Sequence, residues 1–136
     1  MNGGVPSSDG LPFETLSLAD APVVTAPDGS TVHVLPRVAG GSMAHFTLEP
    51  DQASSAVVHR SVEELWFVVA GSGEMWRRAG DRASVVALAP GTALTIPLGT
   101  AFAFRAGPAG LRIVALTVPP WPGPDEALPV ADGPGW

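Results

Sequence analysis

Few side chains in this sequence can carry acid, base or metal chemistry. The chain contains three histidines, His33, His45 and His59, and no cysteine. The lack of cysteine excludes disulfide bonds, thiolate metal ligands and cysteine nucleophiles. An imidazole that is oriented by a carboxylate can transfer protons near neutral pH. A histidine that meets an Asp or Glu inside the fold is therefore the first arrangement to look for.

The composition is that of one small domain with no surface for nucleic acid. The 136 residues suit a single core, and the 46% of apolar residues are enough to fill it. The net charge is −6, and the seven basic residues are all Arg and never form a run longer than two. This balance argues against binding to phosphate backbones. No apolar run reaches the roughly 18 residues of a membrane span, so we expect a cytoplasmic protein.

The order of apolar runs and turn residues predicts an all-β fold. The 16 Gly and 15 Pro interrupt nearly every window longer than ten residues, and the runs between them are short or alternate in polarity. The stretch Gly71-Ser72-Gly73 lies between two runs that contain Trp, which predicts a hairpin turn. The predicted strands are Val32–Leu35, Met43–Leu48, Ala56–His59, Glu64–Ala70, Glu74–Arg78, Val85–Leu88, Ala93–Ile96, Ala101–Ala106 and Arg112–Val118.

The two ends of the chain differ from its middle. Residues 1–22 contain three prolines, which favours an extended arm laid over the rest of the fold. Residues 119–136 are rich in proline and cannot form a central strand, because proline has no N–H to donate. The sequence therefore predicts an arm (1–22), a barrel (23–118) and a Pro-rich strap (119–136), which Trp121 anchors to the barrel.

The middle of the chain resembles the cupins, a family with two sequence motifs. One motif ends in His, four residues, Glu, six residues and Gly, and His59, Glu64 and Gly71 fit this spacing. The other begins with Gly, five residues and Pro-x-Gly, which matches Gly91 and Pro97-Leu98-Gly99. The resemblance covers residues 51–106. It implies a cupin-type jelly-roll barrel, that is, a double-stranded β-helix.

Four motif positions carry residues that the cupin pattern does not. Val57 and Phe102 stand where the motifs have His, and Ala106 stands where they have Asn. Asp51 replaces the opening Gly of the first motif. Two of the four residues that resemble cupin metal ligands are thereby replaced by apolar side chains.

The two remaining ligand positions are His59 and Glu64. A divalent metal in a site of imidazole and carboxylate ligands normally takes three or four protein ligands. We therefore expect no tightly bound metal and no cofactor. A weakly bound divalent metal on His59 and Glu64 stays open, with His45 or Glu63 as an added ligand.

Strand alternation within the implied barrel predicts an apolar pocket. If Glu64 faces inward, Trp66 does too, whereas Glu63 and Leu65 face outward. On the last motif strand Phe102 and Phe104 face inward. The predicted lining is Val57, His59, Glu64, Trp66, Phe102 and Phe104. Trp66 and Trp76 are interpreted chiefly as barrel packing, but either could also contact a flat ligand.

Three functions are consistent with such a pocket. The first is a metal-independent enzyme of the isomerase, lyase or cyclase type, in which His59 is the general acid or base and Glu64 its partner. The second is a barrel that binds a small organic molecule without chemistry, with His59 and Glu64 as a structural pair. The third is a metal-dependent cupin enzyme with a rebuilt site. The fold itself does not choose among them.

The resemblance also implies a homodimer, because exposed barrel edges are often paired between subunits. The outward-facing residues Leu65, Phe67 and Val69 would supply apolar contact surface.

Overall fold

The computed structural model describes residues 10–136, and these form nine strands and two short 3₁₀ turns. All strand pairs are antiparallel, so the predicted all-β fold is confirmed. No helix in this range is long and apolar enough to cross a membrane. The strands are β1 (Val23–Thr25), β2 (Thr31–Val38), β3 (Gly41–Leu48), β4 (Val57–His59), β5 (Glu63–Ala79), β6 (Arg82–Leu88), β7 (Ala93–Ile96), β8 (Ala101–Val118) and β9 (Ala127–Pro129).

Two long strands, β5 and β8, hold the fold together. They pair with each other from Glu63 opposite Val118 to Arg78 opposite Ala101. The second half of β8 also pairs with β3, and its first half pairs with β4. Because both strands take part in both halves of the sheet, the sheet curls around one core. That core contains Trp66, Met75, Phe104 and Ile113, all fully buried.

The predicted hairpin at Gly71-Ser72-Gly73 is wrong. The strand β5 continues through this stretch and changes its partner there, from β7 to β6. A Cβ atom at Gly71 would overlap the carbonyl oxygen of Gly110, and one at Gly73 would overlap that of Arg105. The two glycines thus allow β5 and β8 to approach closely where the register shifts.

Asp51 shows why its motif position normally holds glycine. Its φ angle is 63°, in the left-handed region that glycine favours. Asp tolerates this conformation better than most residues. The motif glycines Gly71, Gly91 and Gly99 also have positive φ angles. Asp51 thus shares the left-handed conformation of these motif glycines.

Strict alternation along β5 fixes which side chains face the core. Glu64, Trp66 and Val68 are buried, whereas Leu65 and Phe67 are 51% and 50% exposed. The prediction that Glu64 faces inward and its neighbours face outward is confirmed.

The outer face of β5 and β8 is apolar and uncovered in the monomer. Leu65 lies opposite Leu116, which in turn lies opposite Met43, and all three are exposed. We expect two copies to pair through this face, because a large exposed apolar patch typically marks an interaction site. Light scattering should then give twice the monomer mass of 13.9 kDa, and Phe67→Glu should halve it. A wild-type monomer at all concentrations would contradict the predicted homodimer.

The C-terminal segment returns to the barrel. Strand β9 pairs with the short strand β4 at the edge of the sheet, with Ala127 opposite His59. The ring of Trp136 lies 4.2 Å from the guanidinium carbon of Arg105. At the other end, β1 pairs with β2, and a 3₁₀ turn at Leu18–Asp20 precedes it. Residues 1–9 of the predicted arm lie outside the described residues.

Candidate functional site

A cavity of about 400 Å³ lies between the inner face of the sheet and the C-terminal segment. Strands β1 to β5 and β8 form its walls, and residues 121–127 close one side. Its surface is mostly apolar, which is typical of sites for small organic molecules. The apolar lining includes Val34, Phe46, Val57, Phe102, Trp121 and Ala127. The ionisable residues in the lining are Asp28, Arg37, His59 and Glu64.

Glu64 is a buried carboxyl group that the barrel holds on both oxygens. It is 5% exposed. Thr117 Oγ1 donates to Oε2 over 2.6 Å, and Trp66 Nε1 donates to Oε1 over 3.0 Å. Burial raises the pKa of Glu64, and the two hydrogen bonds oppose this rise without cancelling it. The side chain is thereby kept in its protonated form at higher pH than a free glutamic acid.

His59 is a buried imidazole among aromatic rings. It is 8% exposed, and its ring lies edge-on to Phe102 and Trp121, at centroid distances of 5.2 and 5.3 Å. Within residues 10–136 its buried Nδ1 atom has no hydrogen-bond partner. Burial lowers the pKa of His59, and the nearby Glu126 carboxylate opposes this. The neutral imidazole is therefore favoured.

Glu126 connects the C-terminal segment to the barrel beside His59. It is 4% exposed. It accepts hydrogen bonds from the backbone N–H groups of Ser61 and Val62, at 2.6 and 2.9 Å, and from Ser61 Oγ at 2.7 Å. Burial acts to raise the pKa of Glu126, but these donors and the nearby His59 outweigh it, so the pKa lies below its ordinary value. Glu126 is thus held as a carboxylate.

The cavity brings together four of the seven residues predicted for the site. Val57, His59, Glu64 and Phe102 all line it. No hydrogen bond joins His59 to Glu64 within the described part of the chain, because Glu64 is bonded to Trp66 and Thr117 instead.

The other three predicted residues are aromatic rings that pack elsewhere. Trp66 and Phe104 stack edge to face in the core, 4.8 Å apart. Trp66 does not line the cavity but supports it, through its hydrogen bond to Glu64 and its edge-on contacts with Phe46 and Phe102. Trp76 belongs to a separate cluster with Ala101 and Ala103, against the C-terminal segment.

Sequence reasoning missed Asp28, Arg37 and Glu126, and it predicted Trp121 as the anchor of the strap but not as a residue of the cavity. Asp28 accepts hydrogen bonds from the backbone and hydroxyl of Ser30, and burial raises its pKa despite them. Trp121 lines the cavity, and its backbone N–H donates to Ser42 Oγ. The position of this Trp within a run of prolines predicted that it packs against the barrel, but not which part of the barrel it contacts. The others depend on contacts between distant parts of the chain.

The donor set does not fit the metal that the cupin motifs imply. Two of the four ligand positions are the apolar Val57 and Phe102, and both oxygens of Glu64 already accept hydrogen bonds. Over residues 10–136, no group of three or more His, Cys, Asp or Glu is placed to hold an ion. His45 lies apart from the cavity, where Arg112 Nε donates to its Nε2 atom and its ring meets that of His33. Metal independence itself stays a prediction.

Comparisons with known proteins give a fold and no close relative. No protein-family model and no curated protein matches the chain. Among solved structures, oxalate decarboxylase from Bacillus subtilis at pH 4.6 matches 86% of this chain with a TM-score of 0.74 and 14% identity. The chain spans 32% of the length of that protein. KdgF from Halomonas sp. matches 79% of this chain and 94% of its own, with a TM-score of 0.68 and 14% identity.

Proposed function

Because this chain has the cupin fold that its motifs implied, we propose that it acts on a small organic molecule held in the cavity. In this proposal His59 and Glu64 transfer protons to and from that molecule, without a metal. The reaction is of the isomerase, lyase or cyclase type. The observation that carries the proposal is that a buried imidazole and a buried carboxyl group face the same apolar cavity.

The environments of the two groups support complementary roles. Burial favours the neutral imidazole of His59 and the protonated carboxyl of Glu64. A neutral imidazole can accept a proton, and a protonated carboxyl can donate one. Titratable groups whose surroundings push their pKa values in useful directions are the usual mark of an acid and base pair. We assign His59 as the general base and Glu64 as the general acid.

This pair suits substrates with a carbonyl group. His59 takes a proton from the carbon next to the carbonyl, and Glu64 gives its proton to the carbonyl oxygen, so that an enol forms. Return of a proton to a different carbon gives isomerisation, loss of a neighbouring group gives elimination, and attack on a second carbonyl gives cyclisation. The cavity walls are mostly apolar, and the ring of Trp121 packs edge-on against His59, an arrangement that would limit the access of water to the reacting atoms.

Exchange of substrate hydrogen for deuterium tests the proposal. A panel of small ketones and aldehydes is incubated with the protein in D₂O, and NMR follows the loss of the proton next to the carbonyl. His59→Gln should slow this exchange by about 100-fold or more, since removal of a general base typically has an effect of that size. His33→Gln is the matched control, because His33 does not line the cavity. Full exchange in His59→Gln, with its fold intact, would contradict the assignment.

A second candidate function is ligand binding without chemistry. The hydrogen bonds that Glu64 accepts from Trp66 and Thr117 favour this alternative. A carboxyl group bonded in this way can have a structural role in the barrel without taking part in a reaction. This alternative predicts a ligand bound in the same cavity and no hydrogen exchange in the wild-type protein. Elemental analysis of the purified protein addresses the remaining alternative, since a stoichiometric metal would favour a rebuilt metal site.

A further inference from the structure

A β-bulge in β2 places the side chain of Arg37 on the face of the strand that lines the cavity. Val34 lies opposite Ala44 and Arg37 lies opposite Ser42, so β2 has one more residue than β3 between these two pairs. Such an extra residue reverses which face the following side chains occupy. Ser42 and Ala44 both line the cavity, and after the bulge Arg37 lines it too. Without the bulge, strict alternation from Val34 would put Arg37 on the outer face of the sheet.

Among residues 10–136, Arg37 is the one half-buried arginine whose guanidinium has no hydrogen-bond or ion-pair partner. Four other arginines each donate to a protein acceptor, and the last two are exposed. The acceptors are Thr95 for Arg77, Asp132 for Arg78, Glu74 for Arg105 and His45 for Arg112, and the exposed residues are Arg60 and Arg82.

The charge in the cavity makes this lack of a partner informative. Burial favours the neutral forms of Asp28, His59 and Glu64, the other ionisable residues of the lining. The guanidinium group of an arginine carries a positive charge and has N–H donors but no acceptor atom. Arg37 therefore presents a positive charge with five N–H donors to the cavity, and partly burying such a group without an acceptor is costly. A ligand that brings an anionic group would supply the missing acceptor.

We propose that Arg37 binds a carboxylate of the ligand and that the cavity takes small organic acids with an apolar body. This inference rests on the proposed function, since it names the substrate class of the same cavity. The planar guanidinium fits a carboxylate in a bidentate arrangement, which gives both affinity and orientation. The apolar walls accommodate the rest of the molecule, and the volume of about 400 Å³ suits a ligand of modest size.

Binding of a matched acid and amide tests the assignment. The probes are 4-phenylbutanoate and 4-phenylbutanamide, which have nearly the same shape and differ in charge. Calorimetric titration at pH 7 and low salt should show that the wild-type protein binds the acid at least about 10-fold more tightly than the amide. In Arg37→Gln the acid should lose this preference, so that the ratio falls to about 1. In Arg37→Lys, which keeps the charge and loses the planar fork, the ratio should fall between these values.

Arg60→Gln is the control. It changes the net charge by the same amount, but Arg60 is exposed and does not line the cavity, so the wild-type ratio should persist. Equal binding of acid and amide by the wild-type protein would overturn the role of Arg37 and leave the cavity as a binding site. Binding of neither probe would overturn the cavity as a site for such molecules, and the proposed function with it. The ratio of the affinities of the wild-type protein for the acid and the amide tests whether the cavity prefers a carboxylate, even where a variant fails to fold.

Discussion

Gly71→Ala is expected to destabilise the protein by about 3 kcal/mol or more, which is a large share of the total stability of a typical domain. The added Cβ would overlap the carbonyl oxygen of Gly110, a backbone atom that cannot rotate away. In addition, the φ angle of Gly71 is 85°, a conformation that alanine adopts only with strain. To relieve the overlap, β5 would have to separate from β8 at the point where both strands shift register. Urea unfolding followed by tryptophan fluorescence measures the loss.

Gly91→Ala separates the two causes. Gly91 has a similar φ angle of 92°, but a Cβ there would meet nothing within 4 Å. Its replacement should therefore cost only the backbone strain, about 1 kcal/mol. The difference between the two variants measures the close approach of β5 and β8. Equal losses of unfolding free energy in the two variants would show that the close approach of β5 and β8 does not depend on the lack of a side chain at Gly71.

Glu126→Gln is expected to cost about 2–3 kcal/mol, because hydrogen bonds to a charged acceptor are among the stronger ones. The backbone N–H groups of Ser61 and Val62 and the hydroxyl of Ser61 all donate to this carboxylate. A glutamine amide offers one oxygen and places its own N–H₂ against the other donors. Thermal and urea unfolding measure the cost. Asp125→Asn, at an exposed neighbouring position, is the control and should change the stability little.

The contribution of Glu126 depends on pH in a defined direction. Its folded pKa lies below the unfolded value of about 4.3, so its stabilisation is fully present above that pH and is lost as the pH falls through the folded pKa. Glu64 acts in the opposite sense. Its folded pKa is raised, so its contribution is present below about pH 4.3 and declines as the pH rises through the folded pKa.

Replacement of Glu126 and replacement of Glu64 should therefore change the pH dependence of the unfolding free energy on opposite sides. Glu126→Gln should flatten the acid side, whereas Glu64→Gln should flatten the decline at higher pH. Unfolding free energies measured across the pH range for the wild type and both variants check this. A curve for Glu126→Gln that keeps the full acid dependence would contradict the role assigned to that carboxylate.

The sequence contained enough information for the fold and for four of the residues that line the cavity. Alternation placed Glu64 inside and Leu65 outside, because a buried strand face requires apolar or paired side chains at every second position. Motif spacing placed Val57, His59 and Phe102 correctly around the cavity. These inferences depend on local periodicity and on short spacings, which a single sequence displays directly.

The residues that were missed depend on tertiary structure. Glu126 meets Ser61 across 65 positions of sequence, and no local pattern records such a contact. Arg37 faces the cavity only because of a bulge, which leaves no clear signature beyond Pro36 in the same strand. Gly71-Ser72-Gly73 was assigned to a turn because glycine signals turns and close backbone approaches alike. Deciding between the two requires knowledge of the strand that lies alongside.

Trp121 gives the cavity an optical reporter of its own. Its indole lines the cavity and touches His59, whereas Trp76 and Trp136 lie in or against the separate outer cluster and Trp66 is enclosed in the core. A molecule that displaces solvent from this indole should shift its emission to shorter wavelength. The substitution Trp121→Phe would remove that shift. Candidate ligands can therefore be screened by fluorescence before any reaction is known.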